Sequence, residues 1–282
     1  MRQVGILVIA RLTFREAARR KILLGALLLG VVFLLVYGLG IYFIQQDLVE
    51  HEQYLKRVVA VPIYNFLVLS GLYVVNFLTL ALTVLTSVDT ISGEIDSGTI
   101  HTLAAKPIHR WEIVIGKWLG FAAMLTIYLL LMAGGVIELT RLITGYALPN
   151  VPRGLALMWL NELLLLDVTL LGGTQLSTLA NGVLVFAAYG VAFVGGWIEQ
   201  IGAFLGNQTT VVIGILSSLL MPSEALWKRA AFEMRTVLAD AVPVNPFISA
   251  LSVPSPMMVA YAALYAVVAL VLVVWNFNCR DL

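Results

Sequence analysis

Charge is the scarcest property of this sequence: Asp, Glu, Lys and Arg make up 12% of its 282 residues, about half the share of an ordinary soluble domain. With 61% of residues hydrophobic, the chain cannot clothe itself in a water-facing surface. Cysteine occurs once, at Cys279, so no intrachain disulfide can form. Histidine occurs three times. His101 and His109 share a polar segment but are separated by eight positions and a proline, and His51 lies elsewhere, so no metal site is expected. HExxH and GxSxG are missing. Gly116-Lys117 has neither the upstream glycine nor the downstream Ser/Thr of a phosphate-binding loop. These absences argue against a hydrolase, an ATPase or any enzyme acting alone, and a net charge of +1 gives no reason to expect a nucleic-acid partner.

What the chain does have is long uncharged runs. Residues 22–44, 63–88, 118–137, 182–198 and 257–277 each suffice to cross a hydrocarbon core of roughly 30 Å as a helix. A sixth, 154–178, is Leu-rich and interrupted by Glu162 and Asp167. Nothing alternates with the ten-residue rhythm of an outer-membrane barrel, which leaves helices as the spanning structure. The expectation is an all-α polytopic membrane protein of six transmembrane helices, forming a single transmembrane domain over 1–282. The N-terminal run is about twice the length of a signal-peptide core and reads as a retained span.

Lys and Arg counts orient the spans. Arg2, Arg11, Arg15, Arg19, Arg20 and Lys21 precede the first span against Glu16 alone, which puts the N-terminus in the cytoplasm. Six crossings return Arg280 and the C-terminus to the same side. Segment 200–256 is harder to place. Its uncharged stretch is broken by Gly202, Gly206 and Asn207 and ends at Pro222, leaving Val211 to Met221 too short to span. Although Lys228, Arg229 and Arg235 favour the cytoplasm, the expected arrangement is an external re-entrant segment, with a seventh span as the alternative.

Within 1–21, Arg11, Arg15 and Arg19 fall four apart on one helical stripe, opposite Ile6, Ile9, Ala10, Thr13 and Ala17. This predicts an amphipathic elbow helix on the anionic leaflet, with Glu16 and Arg20 paired at i,i+4. The second polar feature, 89–117, stands between two uncharged runs. It holds four carboxylates, three Lys/Arg and two His together with Ile100, Leu103, Ile108, Trp111 and Val114, apolar residues that a plain connecting loop does not need. Asp96-Ser97-Gly98 signals a turn and Thr99 a helix cap. Pro107 ends that short helix and suits the first turn of the next, which runs into the third span. Helix, break and helix at a membrane surface make a lever that a soluble partner can grip.

The spacing Glu94-x3-Gly98-Thr99-x3-Leu103-x3-Pro107-x2-Arg110-x5-Gly116-Lys117 resembles the signature of type 2 ATP-binding-cassette permeases, the six-span membrane subunits of exporters whose ATPase is a separate polypeptide. The resemblance implies that these eight residues form the cytoplasmic coupling helix and its arms between spans two and three. Glu94 and Arg110 would pair or contact the partner, Leu103 would face the ATPase groove, and Lys117 would snorkel to the headgroups. It further implies an inner-membrane location, two ABC ATPase subunits carrying ATP and Mg while this chain binds no cofactor, and a second permease copy or a homologue. An external or periplasmic partner is compatible with the family.

Asp167 and Glu162 stand inside the fourth span, where an ionised side chain costs at least about 2.5 kcal/mol and must face protein or water. Each is a candidate for the substrate pathway, or for a structural hydrogen bond to Ser, Thr or Asn of another span. Glu138 and Arg141 should pair with each other, and Glu199 should lie at an interface. Two other readings stay open: a proton- or ion-coupled secondary transporter using Asp167, and a membrane scaffold that docks a soluble partner without transport.

Overall fold

The computed structural model describes residues 2–51, 56–93, 109–236 and 252–279, and all of its regular structure there is helical. Its helices are α1 (Arg2–Arg19), α2 (Lys21–His51), α3 (Lys56–Ser87), α4 (Arg110–Thr144), α5 (Val151–Gly173), α6 (Thr178–Leu205), α7 (Gln208–Leu220), α8 (Ser223–Glu233) and α9 (Pro256–Cys279). Six of them, α2 to α6 and α9, are long and apolar enough to cross a membrane.

The centre of the bundle is α3, α4 and α5, where Leu72, Leu125 and Leu164 are fully buried. Polar residues enter α3 cheaply because Thr83, Thr86 and Ser87 donate to carbonyls one turn back, at 2.7–2.8 Å. α2 lines the edge, with Leu24, Leu28, Leu35, Leu39 and Phe43 turned outward. Its inner side is fixed where Tyr37 meets the Thr140 hydroxyl at 2.9 Å and Tyr128 donates to the Ala26 carbonyl at 3.1 Å.

At 35 residues α4 is about 50 Å long, longer than a hydrocarbon core of roughly 30 Å. It closes at Gly145, whose φ of 72° suits the left-handed C-cap. The turn between α5 and α6, at 174–177, falls a few residues earlier than the sequence suggests. α6 begins at Thr178, which draws Asn181 into the helix, where it donates to the Thr169 carbonyl at 2.9 Å.

α6 ends at Gly206 (φ 68°), and α7 folds back along it. A Cβ on Gly214 would lie 2.7 Å from the Gly195 carbonyl oxygen, so the two backbones touch. α8 then leaves α7 at 109° and returns toward the end of the bundle where α5 starts. There Asn150 donates to the Glu233 carbonyl at 3.0 Å and Asn65 to the Met234 carbonyl at 3.1 Å. Both ends of this hairpin therefore lie at the end of the bundle opposite α1.

Candidate functional site

At the other end, three helices converge on α1. Arg20, at the break between α1 and α2, donates to both Asp89 oxygens at 2.7 and 2.9 Å and to Glu16 at 3.0 Å. The expected Glu16–Arg20 pair is thus one half of a bridge to the end of α3. Arg11, Arg15 and Arg19 point outward along one exposed stripe. The opposite face lies on protein rather than on lipid, with Ala17 and Thr13 buried.

The seat for that face is Gly116 and Gly120 of α4. A Cβ at Gly116 would come within 2.7 Å of the Ile9 side chain and 3.1 Å of the Ile6 carbonyl oxygen. At Gly120 it would meet the Ala10 carbonyl oxygen at 2.7 Å and Thr13 Cβ at 2.8 Å. The glycines, one turn apart, let two helices approach at backbone distance. Gly116 appears in the sequence motif; Gly120 is outside it, although its four-residue spacing was there to be read.

Lys117 does not snorkel. It is 7% exposed and donates to the Thr90 carbonyl at 3.1 Å, because α1 and the end of α3 cover it before it reaches any lipid surface. Arg110 opens α4 and donates to the Asn278 carbonyl of α9 at 3.4 Å, while Glu112 caps the helix from the His109 N–H at 3.2 Å. Of the apolar residues read as a docking surface, Val114 packs into the core and Trp111 is 40% exposed. Glu94, Gly98, Thr99, Leu103 and Pro107, with Ile100 and Ile108, lie outside the described residues. A cavity of about 370 Å³ remains between α1, α3 and α4, ringed by Glu16, Arg20, Asp89 and Lys117 over an apolar floor that includes Leu12 and Phe121.

The two acids of α5 have different surroundings. Asp167 is 2% exposed and accepts from the Trp118 indole at 2.5 Å. An indole N–H serves here in place of the hydroxyl or amide expected from Ser, Thr or Asn. Glu162 is 1% exposed, and among the described residues neither of its oxygens has a hydrogen-bond partner. Thr79 beside it donates instead to the Val75 carbonyl. Next to it, Asn161 donates to Asn76 at 3.2 Å. If Asp167 serves to hold Trp118, Asp167→Asn keeps an acceptor and transports like the parent, whereas Asp167→Leu strands the indole and destabilises the chain by about 1–3 kcal/mol. Thermal unfolding and transport, measured on both variants, check this. Loss of transport in the Asn variant would instead place the carboxylate in the substrate path.

No curated protein matches the chain in sequence. Residues 7–276 match the sequence model of the ABC-2 family transporter proteins. That range runs from within α1 to near the end of α9, through every span and through the polar segment between α3 and α4. The chain belongs to the ABC-2 transporter family, as a multi-pass membrane subunit that partners with ABC ATPase subunits and is not itself the ATPase.

Proposed function

We propose that this chain is the permease of an ATP-driven exporter in the inner membrane, with both termini in the cytoplasm. Two such permeases, or this one and a homologue, sit over two ATPase subunits that bind ATP and Mg. The segment containing Glu94, Gly98, Thr99, Leu103 and Pro107 docks on the ATPase, with the exposed Trp111 at its edge.

What supports this most is the fastening of α1. Arg20 ties it to Asp89 at one end of the docking segment, and Gly116 and Gly120 tie it to the helix leaving the other end. A push on the segment therefore reaches α2, α3 and α4 together. Closure of the ATPases would rotate these helices and open a central cavity outward.

Co-purification tests the docking. The tagged chain, gently solubilised, should bring down a soluble nucleotide-binding protein, and Glu94→Ala with Leu103→Asp should release it while the permease remains folded. A folded parent chain that retains no such protein refutes the reading.

A further inference from the structure

The hairpin of α7 and α8 is held to α6 by buried charge. Lys228 on α8 donates to Glu199 on α6 at 2.8 Å, with the two side chains 6% and 5% exposed. Ser252 donates to the second Glu199 oxygen at 2.5 Å, and the Gln200 amide donates to the Ser252 carbonyl at 3.1 Å. A second carboxylate, Glu224, precedes Lys228 by one helical turn and shares its face. It is 5% exposed and sits in the space left open by Gly196.

Among the described residues, the titratable groups facing Glu224 are Lys228 from its own helix, Glu199 and Tyr189 from α6, and Tyr73 from α3. Arg229, the next cation along, is taken up by Glu233 at 2.5 Å and by the Pro254 carbonyl. Two carboxylates therefore share one amine. Among the described residues the Glu224 Oε2 and Ser223 Oγ atoms are buried without a hydrogen-bond partner, and the Tyr73 hydroxyl faces the Glu224 carboxyl. Leaving one negative charge uncompensated here costs far more than binding a proton.

We propose that Glu224 is a proton-binding site that clamps the hairpin to α6 and α3. With the hairpin seated, Glu224 holds one proton and Lys228 neutralises Glu199. When the hairpin leaves its seat, Glu224 meets water and releases the proton to it. The ligand is the proton itself, and the site is separate from the docking segment at the opposite end of the bundle.

The direction of the pH dependence follows. α8 lies outside the six spans, and burial pushes the Glu224 carboxyl up, to about 7, against the pull of Lys228. In water a glutamate titrates near about 4.3. The seated state is thus fully supported below that value and loses support as pH rises through about 7.

The test uses the full chain in lipid nanodiscs, with Cys279→Ser and nitroxides on cysteines replacing Leu142 of α4 and Leu216 of α7, both exposed. Pulsed spin-label distances are recorded from about pH 5 to about pH 9. A single seated distance is expected at the acid end. A displaced population should then grow relative to it by up to about tenfold per pH unit, the slope of a one-proton equilibrium, until it levels off above about 7. Glu224→Gln, which mimics the protonated acid, should keep the seated distance throughout. Glu199→Gln leaves one carboxylate for one amine and should also lose the pH response. A distribution that ignores pH in the parent chain, or responds equally in Glu224→Gln, overturns the proposal. Neither outcome bears on ATPase docking.

Discussion

Gly120→Val uncouples the permease: ATP-driven transport in proteoliposomes falls about tenfold or more, while the ATPase still co-purifies. The added Cβ would lie 2.7 Å from the Ala10 carbonyl oxygen, 2.8 Å from Thr13 Cβ and 3.1 Å from the Phe14 nitrogen. Two of these three are backbone atoms of α1, so no side chain can swing aside and α1 itself must lift. Overpacking of this kind costs about 1–3 kcal/mol, enough to unseat a helix held by one face. The substitution lies outside the proposed docking segment, so partner binding should persist while movement is lost. Gly134→Ala, fourteen residues further along α4, is the control. A Cβ there meets nothing within 4 Å, and alanine gains about 0.5–1 kcal/mol of helix preference over glycine. Unaltered transport in Gly120→Val would mean that α1 transmits nothing.

The same region shows where sequence reading succeeds and where it stops. Spans are legible because a bilayer demands length and apolarity of a single segment, and both are local properties. The arginine stripe of α1 and the Glu138–Arg141 pair, 3.7 Å apart, follow from helical spacing alone. Arg20 with Asp89 does not, because the partners are 69 residues apart and meet only once α1 has docked. The sequence points Lys117 to the headgroups because a lysine at the edge of an apolar run usually snorkels. That inference assumes lipid beside it, and here α1 and Thr90 occupy the space. Glu199 was recognised as belonging to an interface. Its partner Lys228 reads in sequence only as one of three cations in a re-entrant segment, since nothing local says that α8 turns by 109° and comes back against α6. For the docking residues from Glu94 to Pro107, the motif spacing remains the ground on which their role is proposed.

Lys228→Met should be the most destabilising single change at the hairpin end. It removes the one cation shared by Glu199 and Glu224 and leaves two buried carboxylates without it, and deleting one member of a buried pair costs about 3–5 kcal/mol. Thermal unfolding of the solubilised permease, followed by its helical signal, should show a clear drop. Glu199→Gln combined with Lys228→Met should recover most of the loss. Of this pair of acids Glu224 is then left, which can be neutralised by a single proton, whereas Lys228→Met alone must neutralise two adjacent acids. Arg141→Met supplies the scale: its partner Glu138 lies 3.7 Å away and the two side chains are 64% and 59% exposed, so water already screens the pair and the change costs under about 1 kcal/mol. If Lys228→Met proves as mild as Arg141→Met, water reaches the hairpin seat, Glu224 has no need of a proton, and the clamp on α6 is apolar contact alone.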